Sequence, residues 1–220
     1  MLHFYQTPGI FRRLSKDLVW KIPASKPEIY LTFDDGPIPG LTEFILEILA
    51  DFDARATFFC VGDNIFKHPA ICDKVVKSGH LIGNHTYNHI SGWATQHKLY
   101  FKNIENCQSF ISRHQDTLSQ PLFRPPYGKI SKSQIKILRD KYQIIMWDVL
   151  TYDFDKSHTP QKSLEKIIYG TKPGSIVVFH DNYKAENKLK YMLPRYLKYF
   201  AEKGYTFKKL APVEINKPFN

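Results

Sequence analysis

The sequence is poor in cysteine and has no long uninterrupted hydrophobic run. Its three cysteines, Cys60, Cys72 and Cys107, cannot all pair within one chain, and none lies in a CxxC spacing. A disulfide framework of the kind that stabilises small secreted proteins is therefore not expected. No stretch approaches the roughly 18 consecutive apolar residues of a membrane-spanning helix, so no transmembrane segment is expected either.

The N-terminal segment lacks the features of a secretory signal peptide. Residues 1–23 contain no apolar core of about 7–15 residues and no small-residue cleavage site. With the unpaired cysteines, this predicts a cytoplasmic protein in a reducing compartment. Two other interpretations of the segment stay open: a trimmed chain, or an amphipathic arm that lies on a surface.

Positive charge exceeds negative charge, with a formal net charge of +10. Residues 184–209 hold eight Lys or Arg against two Glu, a net charge of +6. Since a basic face attracts anions, peripheral contact with a membrane or another anionic surface is one expectation for this region, and a solvated helix face is the other. No nucleic-acid-binding motif occurs, so no nucleic-acid partner is expected. The protein is expected to be a monomer.

Short apolar segments alternate with amphipathic ones along the chain. The apolar segments predict strands at 28–33, 56–62, 80–84, 143–150, 175–181 and 205–210. The amphipathic segments predict helices at 41–52, 69–79, 96–114, 131–141, 163–171 and 187–204, the last interrupted by Pro194. Continuous apolar strands between helices indicate a parallel sheet covered by helices. Six or seven such units favour a closed or nearly closed α/β barrel. Residues 1–26 are predicted to be an extension packed on the outside of a catalytic domain that spans 27–220.

Polar residues concentrate where the predicted strands end. They are Asp34, Asp35, His85, His89, Arg124, Tyr127, Asp148, Asp153, His180 and Asp181. Because the carboxyl ends of parallel strands meet at one face of an α/β barrel, these residues are expected to line a shared pocket. Taken singly, each has a simpler explanation, such as a loop histidine or a surface arginine. Only their convergence indicates a site.

The combination of residue types indicates metal chemistry. Two imidazoles four residues apart and one carboxylate form an N,N,O triad, which leaves coordination positions open for water and substrate. One of the two adjacent aspartates suffices for the ion, so the other is free to act as a base. A bound cation would also relieve the repulsion between two neighbouring carboxylates.

Several motifs occur in a family-specific order. TFDDG at 32–36, HTYNH at 85–89, RPPYG at 124–128 and VFH at 178–180 resemble the ordered motifs of the polysaccharide deacetylase family, the NodB-homology domain of carbohydrate esterase family 4. The resemblance runs from about residue 28 to 210. It implies a distorted (β/α)7 barrel with mostly parallel strands. It also implies a metal-dependent hydrolase that removes the N-acetyl group from an amino sugar of a peptidoglycan-, chitin- or precursor-type glycan and releases acetate.

The same resemblance implies a role for each site residue. Asp34 is the general base, and Asp35, His85 and His89 bind one divalent metal ion. Zinc is expected first, and Co²⁺, Ni²⁺ and Fe²⁺ also suit the ligand set. The resemblance also implies that Arg124 orients the base and that the backbone N–H of Tyr127 stabilises the oxyanion. His180 is the residue that protonates the leaving amine.

The chain departs from the family pattern after its predicted strand 143–150. Leu150 and Phe154 stand where the family motif has an aspartate and a tryptophan. Asp153 remains and is expected to hydrogen-bond either Arg124 or His180. Two alternatives to glycan deacetylation therefore stay open. One is the hydrolysis of a non-polymeric amide, such as a lipid-linked N-formyl sugar or a cyclic ureide, and the other is a catalytically silent glycan-binding protein.

Overall fold

A curved parallel sheet organises residues 4–211, the part of the chain that this computed structural model describes; side chains 12–14 are not described. Its strands are β1 Leu18–Val19, β2 Glu28–Asp34, β3 Thr57–Cys60, β4 Leu81–Asn84, β5 Leu122–Phe123, β6 Gln143–Ile145, β7 Val149–Leu150, β8 Ile176–His180 and β9 Thr206–Lys208. They are ordered β1-β6-β5-β4-β3-β2-β8-β7, with β9 paired to β2 as well. The predicted distorted barrel of mostly parallel strands is confirmed.

Helices cover the outside of the sheet. They are α1 Gly9–Leu14, α2 Leu41–Asp51, α3 Gly62–Lys67, α4 Pro69–Lys77, α5 His97–Ile111, α6 Lys132–Leu138, α7 Pro160–Gly170 and α8 Glu186–Ala201, with 3₁₀ turns at Gly92–Ala94 and Pro126–Gly128. The predicted interruption of the last helix at Pro194 is wrong, because α8 continues through this residue. Tyr196, Leu197 and Phe200 beyond it are buried, so packing against the core maintains the helix despite the missing N–H. Among the described helices, none is both long and apolar enough to cross a bilayer.

Alternation along β2 explains how one strand serves both the core and the site. Ile29, Leu31 and Phe33 are fully buried in the large cluster that includes residues of α2 and α8. Successive strand residues point to opposite faces, so Thr32 and Asp34 lie on the other face, inside the barrel. A strand with its apolar side toward the helices thus ends with a carboxylate in the interior.

The predicted single strand 143–150 is split in two. β6 pairs with β1 and β5, whereas β7 pairs with β8 at the opposite end of the sheet order, and residues 146–148 cross between them. A buried side chain contacts the backbone at the interruption. Arg124 donates to the carbonyl oxygens of Ile145 (3.3 Å) and Met146 (2.9 Å) from inside the barrel.

The predicted N-terminal extension is not confined to the outside. Leu18 and Val19 form β1, which pairs in parallel with β6 and adds a strand to the sheet. The N–H of Ile22 donates to the carbonyl oxygen of Gly174 at 2.9 Å. The placement of the domain boundary at residue 27 stays a prediction.

Candidate active site

Asp34 and Arg124 form a buried ion pair at the base of the site. Nη1 of Arg124 lies 2.6 Å from Oδ1 of Asp34 and 2.7 Å from the hydroxyl of Thr32. The guanidinium is fully buried and its plane covers the ring of Phe59 at 4.1 Å. The guanidinium donates four hydrogen bonds, two of them to backbone carbonyl oxygens, and stacks on an aromatic ring. Because it is fixed in this way, the arginine holds the Asp34 carboxylate in one orientation.

Asp35 leaves the strand through an unusual backbone conformation. Its φ of 88° lies in the left-handed region, and this turn brings its side chain to the same pocket as Asp34 instead of to the opposite face. The side-chain amide of Asn64 donates to the carbonyl oxygen of Asp35 at 2.7 Å, and that of Asn182 donates to Oδ2 at 2.5 Å.

The two histidines lie on the loop that follows β4. Thr86 and His89 have φ values of 63° and 54°. The loop is fixed from α5, where Oδ1 of Asn103 accepts hydrogen bonds from the N–H groups of Tyr87 (2.7 Å) and Asn88 (3.0 Å). The imidazole rings of His85 and His89 are thereby brought to a centroid distance of 5.0 Å.

Asp35, His85 and His89 fit a divalent cation. Nδ1 of His85 lies 2.8 Å from the carbonyl oxygen of Arg124. Since a carbonyl only accepts, Nδ1 carries the proton and Nε2 presents a lone pair to the pocket. Nε2 of His85 and of His89 lie 3.6 Å and 3.1 Å from Oδ1 of Asp35. That oxygen is buried without a hydrogen-bond partner, and the three ligand atoms lie within 4.8 Å of one another. A bound cation would satisfy this oxygen and the lone pairs of the two imidazoles.

The protonation states suit metal binding. Burial lowers the pKa of His85 to about 4, so this imidazole is neutral near pH 7. Burial alone would raise the pKa of Asp35, but the histidines around it outweigh that effect and lower the pKa. A neutral imidazole beside an ionised carboxylate is the state in which both groups coordinate a metal.

His180 faces the site from the end of β8 and is held by Asp153. Nδ1 of His180 lies 2.8 Å from Oδ1 of Asp153, whose Oδ2 accepts the backbone N–H of His180 at 2.7 Å. Of the two partners left open by the sequence, Asp153 therefore contacts His180. Burial would lower the pKa of this imidazole, but Asp153, with smaller effects from Asp35 and Asp34, raises it to about 9.

The pocket above these groups has a volume of about 600 Å³ and mostly apolar walls. Tyr127 lines it on the side of the Asp35, His85 and His89 cluster, where its ring meets the ring of His89 at a centroid distance of 4.7 Å. Leu150 and Phe154 line the opposite side, and Phe154 packs edge-on to His180 at 4.8 Å. Leu150 and Phe154 stand where the family motif has an aspartate and a tryptophan, so the wall of the pocket beside His180 is apolar.

The sequence places Asp181 among the polar residues at strand ends without assigning it a role, and it does not single out Asn182; both residues support the site. Asp181 is fully buried and accepts hydrogen bonds from the N–H of Gly36 (2.9 Å) and the hydroxyl of Thr42 (2.8 Å), which fixes the turn after Asp35. Burial raises its pKa to about 8. Asn182 holds Asp35 directly. The only signal for both was their position after His180 at the end of a strand.

The basic segment 184–209 is only partly a charged surface. Lys188 is buried and donates to the carbonyl oxygens of Tyr152 (3.1 Å) and Asp155 (2.8 Å) and to the hydroxyl of Ser163 (3.1 Å). Lys190 pairs with Glu186 at 2.7 Å. Contact with an anionic surface stays a prediction, and Lys188 is not available for it.

Comparison with known proteins gives a consistent result. A family model described as polysaccharide deacetylase matches residues 21–142, more than half of the chain. A peptidoglycan-N-acetylglucosamine deacetylase of Bacillus cereus is 30% identical over 193 residues, which cover 86% of this chain and 89% of that protein. The chain belongs to the polysaccharide deacetylase family. Several of its relatives are described as deacetylases of peptidoglycan or of chitooligosaccharides.

Solved structures of family members superpose on most of this polysaccharide deacetylase fold. The Bc1960 peptidoglycan N-acetylglucosamine deacetylase, in complex with 4-naphthalen-1-yl-N-oxidanyl-benzamide, has a TM-score of 0.79 at 29% identity and covers 93% of this chain and 95% of its own. A mutant of BA3943, described as a pseudoenzyme of carbohydrate esterase family 4, has a TM-score of 0.75 at 25% identity, with coverages of 88% and 68%. The fold therefore occurs both with and without activity, so activity has to be argued from the site residues.

Proposed function

We propose that this protein is a metal-dependent N-deacetylase that hydrolyses the N-acetyl group of an amino sugar in a glycan and releases acetate. The observation that carries the proposal is the convergence of the ligand atoms of Asp35, His85 and His89 next to the separately held carboxylate of Asp34. A silent glycan-binding protein has no need for a base, a metal triad and a histidine–aspartate pair in one pocket.

Asp34 serves as the base in this proposal. A divalent ion held by Asp35, His85 and His89 would supply the Lewis acidity that polarises the amide carbonyl and lowers the pKa of water. Asp34 accepts the proton that the attacking water loses, and Arg124 keeps its carboxylate aimed at the pocket. The backbone N–H of Tyr127 is proposed to stabilise the negative charge that develops on the carbonyl oxygen.

His180 serves as the acid. An amide nitrogen leaves only when it is protonated, so the group opposite the base must carry a proton near neutral pH. The Asp153 carboxylate at 2.8 Å keeps the His180 imidazole protonated and fixes its ring. Base and acid thus have separate charge partners, which are Arg124 for Asp34 and Asp153 for His180.

Acetate release from a panel of N-acetylated substrates tests the proposal. The panel includes chitooligosaccharides, peptidoglycan, free N-acetylglucosamine and, for the rival activity, a lipid-linked N-formyl sugar and a cyclic ureide. We expect release of acetate together with a new primary amine from the glycans. Hydrolysis of only the non-polymeric amides would show that the substrate is not a glycan. If protein loaded with Zn²⁺ or Co²⁺ turned over no substrate, the alternative of a catalytically silent glycan-binding protein would be favoured.

Metal content is expected to depend on both histidines. Protein purified without chelators should hold close to one divalent ion per chain, with zinc expected first, because the N,N,O set suits it. His85→Ala and His89→Ala should each empty the site, as measured by elemental analysis, while His114→Ala should not, because His114 pairs with Asp73 (2.7 Å) outside the triad. Full occupancy in the double variant His85→Ala/His89→Ala would contradict the assigned triad.

The alkaline limb of the pH–rate profile is expected to follow His180. The acid must be protonated, so the rate falls as the pH rises through its pKa, which lies at about 9. A cation bound by Asp35 would offset the effect of that carboxylate on the pKa of His180. The midpoint of the alkaline limb is therefore expected at about pH 9 or below. Asp153→Asn removes the main charge that raises the pKa and should move the limb to lower pH in kcat/KM. An unchanged alkaline limb in Asp153→Asn would argue against His180 as the acid.

A further inference from the structure

A buried lysine lies behind the acid side of the pocket, outside the groups that the proposed mechanism uses. Lys188 on α8 is only 9% exposed, which is uncommon for lysine because a buried ammonium loses its hydration. Its Nζ donates to the carbonyl oxygens of Tyr152 (3.1 Å) and Asp155 (2.8 Å) and to the hydroxyl of Ser163 (3.1 Å). All three hydrogen bonds that an ammonium can donate are therefore used, and two of them go to one loop.

The loop that Lys188 contacts, residues 151–158, carries the partner of the proposed acid. It begins where β7 ends at Leu150 and leads to α7. Tyr152 has a φ of 51°, in the left-handed region that residues other than glycine rarely adopt. Such a conformation persists only where surrounding contacts hold it. The hydrogen bond from Lys188 to the Tyr152 carbonyl oxygen is one of these contacts, and the next residue in the chain is Asp153.

The Asp153 side chain continues the pairing of β7 with β8 beyond the end of β7. The N–H of Thr151 donates to the carbonyl oxygen of Val178 at 3.1 Å. Two residues farther along β8, the N–H of His180 donates to Oδ2 of Asp153 at 2.7 Å, and Nδ1 of His180 lies 2.8 Å from Oδ1. One carboxylate thus fixes both the backbone and the ring of His180. A displacement of the loop would change both contacts together.

We propose that Lys188 is a positioning residue for the acid, because its ammonium fixes the loop after β7 and thereby holds Asp153 against His180. The inference rests on the proposed function and deepens it, since it adds a residue of α8 that acts through the loop and not on the substrate. Burial lowers the pKa of Lys188, and Asp153 and Asp155 act in the opposite direction. A charged donor suits this role because its hydrogen bonds are stronger than those of a neutral donor.

Residue-resolved amide hydrogen exchange tests the proposal without turnover, in protein loaded with Zn²⁺. Lys188→Met keeps most of the side-chain length but removes the donors. The amide of His180 should then exchange about tenfold faster than in the wild type, because its acceptor is no longer fixed. The amide of Asp181 donates to the backbone carbonyl oxygen of Asp34 at 3.0 Å and should change little. Equal acceleration of both amides, or unchanged exchange at His180, would overturn the proposal.

The kinetic consequence is a loss in kcat on the N-acetylated glycan that the wild type hydrolyses best. Lys188→Met is expected to lower kcat about 10- to 100-fold with a smaller change in KM, because a displaced acid affects the chemical step more than binding. In the Asp153→Asn background the same substitution should have little further effect, since the contact through which it acts is already weakened. Equal effects in both backgrounds, or a change confined to KM, would contradict the positioning role.

Two further variants complete the comparison. Lys190 lies two residues along α8 and pairs with Glu186 at the surface, so Lys190→Met should leave the exchange rates and kcat unchanged. If Lys188→Met does not fold, Ser163→Ala decides instead, because it removes one of the three acceptors and keeps the lysine. It should accelerate exchange at the His180 amide by a smaller factor, and unchanged exchange would then overturn the proposal. A wild type without activity on any glycan would refute the proposed function, while hydrogen exchange would still decide whether Lys188 holds the loop.

Discussion

Asp34→Asn is expected to keep the metal and the fold while kcat falls by about 10²–10⁴-fold, the usual contribution of a positioned base. The amide of asparagine has nearly the shape of the carboxylate but cannot accept a proton from water. Asp34 contributes no atom to the metal triad, so its replacement should leave occupancy near one ion per chain. The measurement is kcat by acetate release together with elemental analysis of the same sample.

The fold should survive this change because Arg124 does not depend on Asp34 alone. The guanidinium also donates to Thr32, Ile145 and Met146 and covers the ring of Phe59. Asparagine Oδ1 can still accept from Nη1, although it no longer neutralises the buried charge. We therefore expect a lower midpoint of urea unfolding but a cooperative transition.

Asp35→Asn is the matched control at the neighbouring position. A neutral amide is a poorer ligand than a carboxylate, so this variant should lose metal affinity first and activity as a consequence. Added metal should restore part of its activity but none of that lost in Asp34→Asn. Loss of metal in Asp34→Asn with full occupancy in Asp35→Asn would show that the two roles are reversed, and undiminished kcat in both would refute the mechanism.

Period-two alternation made the site partly predictable from the sequence. It places Asp34 inside the barrel whenever Ile29, Leu31 and Phe33 face the helices, and the strand-end rule places His180 and Arg124 at the same face. The position of Asp35 was harder to derive, because its side chain reaches the pocket through a left-handed backbone conformation. Asparagine and aspartate adopt that conformation more readily than most residues, but nothing local demands it.

Tertiary contacts explain the errors in the predicted elements. The apolar run from Gln143 to Leu150 is typical of one strand, and only the buried guanidinium of Arg124, distant in sequence, reveals why it is interrupted. Similarly, the i, i+4 spacing of His85 and His89 is compatible with a helix, whereas Asn103 on α5 holds a loop. Side-chain hydrogen bonds to the backbone from remote elements leave no periodic signal in the sequence.

Arg124→Met is expected to have the largest effect on stability. The substitution removes the charge partner of Asp34 and leaves a buried carboxylate without compensation, a change that typically costs about 3–5 kcal/mol. It also leaves the carbonyl oxygens of Ile145 and Met146 without their donors. The free energy of unfolding, measured in urea on metal-free protein, should fall by that amount. Arg195→Met on the exposed side of α8 should change it by about 0.5 kcal/mol or less.

A double variant separates the charge effect from the loss of packing. In Asp34→Asn/Arg124→Met the buried negative charge is gone, so the double variant is expected to be more stable than Arg124→Met although it carries one substitution more. The difference in free energy of unfolding between the double variant and Asp34→Asn then measures two effects. These are the loss of donors to the carbonyl oxygens of Ile145 and Met146 and the lost contact with Phe59. If the double variant is less stable than Arg124→Met by the full effect of Asp34→Asn, the two side chains act independently. The ion pair would then not be what holds the base in place.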